Sequence, residues 1–181
     1  MDYGLVPAIA IAFISLFSPC KKTDQPMEIP CEIQSDNVAI GSKLLTRPDS
    51  DKIMGEASQL TCNTFLKKGD TLEYKCEYTA LAQDAVSGKT GKLGLMDEVY
   101  KDAAAAHNAY VAIYESNRSH PGVEIVSHMG DEAYYHTDGK AFYFFLVRKG
   151  AKMFRMKLNK ITSHSFEAEF KDVAKRIANK I

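Results

Sequence analysis

The segment Ala141–Val147 reads AFYFFLV, an apolar run bounded by the turn dipeptides Asp138-Gly139 and Lys149-Gly150. Side chains alternate across a strand, so a strand apolar at every position is apolar on both faces. It is stable only in the middle of a sheet that is covered on both sides. The rest of the chain must therefore supply neighbouring strands and a layer for each face.

Strands are expected at Val38–Leu45, Gln59–Leu66, Leu72–Leu81, Lys92–Tyr100, Val123–Val126, Ala133–Tyr135 and Lys152–Leu158. The second of the long ones alternates Leu72, Tyr74, Cys76 and Tyr78 against Glu73, Lys75, Glu77 and Thr79, the pattern of a half-buried strand. Thr46–Gly55 reads as a brief helix closed by glycine. A longer helix starts near Asp102 and places Ala103, Ala106, Tyr110, Ile113, Tyr114 and Asn117 at spacings of three and four. Pro121-Gly122 stops it.

The last helix carries the stripe Phe166, Phe170, Val173, Ala174, Ile177 and Ile181, with Ser165 as its expected cap. Glu167 and Glu169 stand early in it and Lys175, Arg176 and Lys180 late, which suits the helix dipole. The polar stretch Gln83–Gly91 is expected to be a loop with a mobile tip. The fold class expected is α+β, a mainly antiparallel sheet packed with two amphipathic helices.

A chain of 181 residues is long enough for one ordinary core and too short for two. Its 23 basic and 23 acidic side chains balance, so no net field draws in nucleic acid. Leu5–Phe17 (LVPAIAIAFISLF) is too short to span a bilayer and has the length of a signal-peptide core. It ends at Ser18-Pro19-Cys20, followed by Lys21-Lys22. Residues 1–20 are thus expected to be an export signal and residues 21–30, polar with two prolines, a flexible tether. A single domain is expected over residues 31–181. An uncleaved anchor or a plain secretory signal is the alternative reading of the apolar run.

Export would place Cys31, Cys62 and Cys76 where disulfides form. One bridge and one free thiol is the simplest account. Cys62 with Cys76 is favoured, because the segment between them reads as a hairpin turning at Lys67-Lys68-Gly69-Asp70; Cys31 with Cys76 is the rival, since it closes the larger loop. No cysteine or histidine spacing suits a structural zinc site.

The most distinctive polar string is Met129-Gly130-Asp131-Glu132-Ala133-Tyr134-Tyr135. Gly130, Asp131 and Glu132 are a candidate functional turn. Paired carboxylates in glycoside chemistry face each other across a substrate, whereas neighbours in one strand point to opposite faces. The favoured reading is that Gly130 takes an unusual backbone angle, Asp131 caps the turn and Tyr134 or Tyr135 packs inward. The five histidines, at 107, 120, 128, 136 and 164, share no spacing that fixes a geometry, and His107 reads as a surface or partly packed residue. A meeting of His128, His136 and Asp131 would be needed for a metal or acid/base site. Gly88–Gly94 (GKTGKLG) misses the phosphate-binding loop pattern, and no serine has a nucleophile-elbow context.

The Gly-Asp-Glu-Ala-Tyr-Tyr string, the hairpin FYFFLVRKGAKMFRMKLNKI and the terminal amphipathic helix together resemble a class of uncharacterised small bacterial lipoproteins. Over Cys31–Ile181 these look like the α/β sandwich of PsbP-type domains. The cysteine after the apolar run resembles a lipoprotein acylation site, which would make Cys20 the lipidated residue, and the Cys-Lys-Lys-Thr-Asp opening is similar to Bacteroidota-type lipoprotein tails. The resemblance implies an accessory or binding module and supplies no catalytic residues.

The function expected is an exported envelope protein, membrane-anchored through lipid on the periplasmic face or the cell surface. Its non-enzymatic domain would need no cofactor and would bind a protein or small-molecule partner. The alternatives are an immunity or inhibitor lipoprotein acting against an effector, and a hydrolase or metal-dependent enzyme built around Asp131 and Glu132.

Overall fold

The computed structural model describes residues 43–181. Three helices and seven strands follow one another as α1 (Arg47–Met54), β1 (Ser58–Lys68), β2 (Thr71–Ala80), β3 (Lys92–Val99), α2 (Ala103–Asn117), β4 (Val123–Ile125), β5 (Glu132–Thr137), β6 (Phe142–Lys149), β7 (Lys152–Asn159) and α3 (Glu167–Ala178). All strands join one antiparallel sheet in the order β1-β2-β3-β7-β6-β5-β4. The α+β class and the antiparallel sheet stand, but among the described residues three helices pack on the sheet rather than two. The expected strand at Val38–Leu45 is not found where it can be followed: residues 43–45 are a turn leading into α1, with Leu44 and Leu45 buried.

The apolar strand sits where its composition requires, as β6 between β5 and β7. Its Tyr143, Phe145 and Val147 join the main core, and Phe144 and Leu146 join a second core on the opposite face. The main core lies under α1 and α3 and gathers Ile53, Met54, Leu93, Leu95, Phe154, Phe170 and Ile177. The second lies under α2, where Tyr110 packs with Tyr134 and Met153. Fully burying each such side chain stabilises the fold by roughly 1.5–3 kcal/mol, which is why a run with no polar face survives only there.

Helix α1 is short, yet both its ends are fixed by sequence. Thr46 and Asp49 form a reciprocal capping box, a proline stands in its first turn, and Gly55 ends it at φ 69°. A Cβ on Gly55 would lie 2.1 Å from the carbonyl oxygen of His164, so the residue is required by backbone angle and by space. Helix α2 starts beside Asp102 as expected, and the Asp102 carboxylate caps it, accepting from the amide of Ala105. Ser165 does not cap α3; Phe166 occupies that position without a side-chain bond, and the Ser165 hydroxyl turns back to the amide of Thr162.

The Gln83–Gly91 loop is tied down near its start. The Asp84 carboxylate accepts from the amides of Val86 and Ser87 within the loop, and from the amide and hydroxyl of Ser163 across the structure. The Ser87 hydroxyl donates to it as well. Polarity predicts a loop here, but only the tertiary fold brings Ser163 to Asp84.

The Cys62–Cys76 bridge is not formed. A register shift between Leu60 and Cys62 sets Cys76 opposite Asn63, so the two sulfurs leave the hairpin on opposite faces. Cys76 is a free thiol, 1% exposed in the main core. Cys20, Cys31, the apolar run and the tether lie outside the described residues. No described helix is long and apolar enough to cross a membrane.

Candidate functional site

The candidate turn lines a groove between α2 and the β4–β5 connection, with a cavity of about 590 Å³. The helix contributes Tyr110, Tyr114 and Glu115, and the sheet side contributes Ile125, Met129, Asp131 and Glu132. The tyrosines fall on one helical face because they are four residues apart. Tyr110 and Tyr114 stack with centroids 6.2 Å apart, and Tyr114 lies 5.4 Å from the buried ring of Tyr134 on β5. Burial pushes the Tyr110 and Tyr134 hydroxyls well above their ordinary range, so both stay neutral.

Gly130 has φ +67°, and a Cβ there would stand 2.5 Å from the carbonyl oxygen of Arg148. The expected unusual angle is present, and it allows the loop to touch β6. Asp131 caps a turn, though not its own: its Oδ2 accepts from the amide of Gly150, in the β6–β7 turn, at 2.8 Å. Tyr134 and Tyr135 are both buried, one on each face of the sheet.

The separation expected of Asp131 and Glu132 does not hold. Asp131 precedes the strand, so alternation does not govern it, and Arg148 reaches both residues. Its Nη1 donates to Asp131 Oδ2 at 3.0 Å and to the carbonyl oxygen of Gly150 at 2.9 Å, while its Nε donates to Glu132 Oε2. The same Glu132 oxygen is 2.9 Å from Nδ1 of His107 on α2. Burial works against the charge of Glu132, but the bonds from His107 and Arg148 outweigh it and hold its carboxyl below the usual range. The Gly150 amide, with help from Arg148, lowers Asp131 in the same sense.

The other histidines separate. His128 lines the groove with a positive φ of 61°. His136 lies instead beside His120 in a second hollow of about 420 Å³, their rings stacked with centroids 6.0 Å apart. Burial, the neighbouring His120 and Lys157 lower the pKa of His136, so its imidazole is neutral near pH 7. The expected alternative of His128 meeting His136 and Asp131 is not realised. Among the described residues no group of three or more histidine, cysteine or acidic side chains is placed to hold a metal ion.

Arg148, Tyr110 and Tyr114 were not singled out by the sequence as site residues. One signal for Arg148 existed. A hairpin closed at Asp138-Gly139 sets Glu132 opposite Arg148, the register observed. The tyrosines read as ordinary helix core because nothing local reveals that Tyr114 is left only half-buried beside the β4–β5 connection.

No protein-family model matches the chain, and no curated protein or solved structure matches it. The class the fold defines is an α+β domain with one antiparallel sheet covered by helices on both faces.

Proposed function

We propose that this is the non-catalytic binding domain of an exported, lipid-anchored envelope protein, and that the groove between α2 and the β4–β5 connection is its ligand site. The observation that carries the binding reading is the groove's construction. The half-buried ring of Tyr114, stacked on the buried Tyr110, meets apolar side chains, and Asp131 and Glu132, both held by Arg148, line the same groove. Concave sites lined by aromatic and apolar groups with few fixed polar ones are the usual form of ligand sites. Asp131 and Glu132 share one guanidinium rather than facing each other across open space, which favours a structural role over acid/base work.

Export and anchoring rest on the apolar run ending at Cys20. The resemblance to PsbP-type accessory domains points the same way, since such domains act by binding. In cells, a photo-crosslinking residue at Ile125, 64% exposed in the groove, should yield adducts that the same residue at Val86, 82% exposed in the Gln83–Gly91 loop, does not. Equal labelling at both positions would remove the groove from consideration. Cys20→Ala should abolish lipid labelling and release the protein from membranes; unchanged retention and labelling would remove the anchor.

A further inference from the structure

We infer that a disulfide between Cys31 and Cys62 moves the point where the tether leaves the folded domain to the β1 edge of the sheet, which turns that edge toward the bilayer and the groove away from it. The inference rests on the anchored reading above and adds how the anchor presents the site. Cys62 is disulfide-bonded, and Cys76, the other described cysteine, is a free thiol in the main core. The partner of Cys62 is therefore Cys20 or Cys31. A sulfur that carries lipid has no thiol left to oxidise, which leaves Cys31. The two thiols give up two protons and two electrons to a disulfide oxidant of the envelope, which is released as a dithiol.

Cys62 stands on an edge strand and is 5% exposed, although Thr61, Asn63 and Thr64 beside it are all exposed. Neither core includes it, and a cysteine buried alone on an open strand fits a sulfur covered by the segment bonded to it. Chain length permits the link. Leu44 and Leu45 are held on the main-core face, where their carbonyl oxygens accept from Nη1 of Arg176 and the hydroxyl of Tyr78, while Cys62 points to the other face. The chain from Cys31 to Lys43, about 12 residues, reaches at most ~40 Å, against the ~10 Å that separates packed layers.

The bridge changes both the length and the origin of the tether. Unbridged, about 23 residues run from Cys20 to Lys43, a flexible chain of that length spans about 26 Å on average, and it meets the domain beside α1. Bridged, about 11 residues run from Cys20 to Cys31, span about 18 Å and meet the domain at β1. The sheet order sets β1 and the β4 side of the groove at opposite edges, six strand spacings or about 29 Å apart. A short tether on one edge thus leaves the groove on the side facing away from the lipid.

The test uses the full lipidated chain, purified from membranes without reductant and placed in phosphatidylcholine vesicles that carry an energy-transfer acceptor on their headgroups. A fluorescent amino acid is built in at Thr64 on β1 or at Glu124 on β4, both exposed. Non-reducing peptide mapping should recover Cys31 linked to Cys62, and transfer to the lipid should be greater from position 64 than from 124. The difference should be lost in Cys31→Ser, in Cys62→Ser and on mild reduction of the unsubstituted chain, so a folding defect in one variant does not decide the result. Equal transfer from the two positions in the bridged protein, or a difference that survives loss of the bridge, overturns the inference and leaves the anchor standing. So does a lipid-bearing chain in which Cys62 is not linked to Cys31. A Cys20–Cys62 peptide, or a chain that carries no lipid, overturns the anchored reading and the inference together.

Discussion

Arg148 and Glu132 face each other across the β5–β6 hairpin, and Nε of Arg148 donates to Oε2 of Glu132, which lines the tyrosine groove. The pair links α2, β5 and the β6–β7 turn, because Glu132 also meets His107 and Arg148 also meets Asp131 and the Gly150 carbonyl.

Arg148→Met keeps the length of the side chain and deletes every donor. It should destabilise the protein by about 1–3 kcal/mol at pH 7, as expected when charge-assisted bonds are lost and a partly buried carboxylate is left without its cation. Urea unfolding measures this. The folded pKa values of Asp131 and Glu132 are depressed, so their contribution is present above the unfolded values and lost as pH falls through the folded ones. The gap between wild type and variant should therefore narrow below about pH 4.

Asp97 is a carboxylate at 9% exposure, and its Oδ1 has no hydrogen-bond partner among the described residues. Burial pushes its pKa up to about 6, against the pull of Lys152. A raised carboxylate costs stability increasingly from its unfolded value near pH 4 up to its folded value, and the cost is constant above that. Asp97→Asn should thus stabilise the fold by about 1–3 kcal/mol at pH 8 and have little effect below pH 4, as read by thermal unfolding at the two pH values.

Asp84 is the reverse case. The Ser87 hydroxyl and the Ser163 amide hold its carboxyl far below the ordinary range, so its support is complete at neutral pH and disappears only in strong acid. Asp84→Asn should lower Tm at pH 7 more than the turn control Asp70→Asn does. It should also speed amide exchange over residues 83–91 and at Ser163. Unchanged exchange at Ser163 would show that the loop is held by other contacts.

Cys76 is buried under the helices and its thiol is pushed up to about 12, so it should not react with a thiol reagent until the protein unfolds. Cys62 is disulfide-bonded, on the face of the hairpin away from Cys76. If the protein is oxidised on export, non-reducing peptide mapping should recover Cys62 linked to Cys31, and Cys76 should be alkylated only in denaturant. A Cys62–Cys76 peptide would contradict the strand register.

Much of the fold was legible because it depends on local periodicity. The double-faced run of β6 announced a central strand with two cover layers, and Asp102 announced the start of α2. The Thr46 capping box and Gly55 mark α1 just as clearly, yet its weight in the core was missed, since eight residues give too short a pattern to rank against the two longer helices. The cysteine pairing failed for a related reason. A single irregularity between Leu60 and Cys62 reverses which face each sulfur takes, and no residue pattern marks it.

By itself the sequence determined the antiparallel α+β plan, most strand and helix positions and the positive-φ glycine at 130, since each follows from side-chain alternation, helical spacing or a backbone angle only glycine adopts freely. Only the tertiary structure decided the site. Arg148 reaches Asp131, Glu132 and Gly150, His107 comes from another layer, and the Tyr114 ring meets Tyr134 on β5. Such contacts join residues far apart in the chain, and their geometry depends on how helices settle on a twisted sheet, which no local pattern encodes.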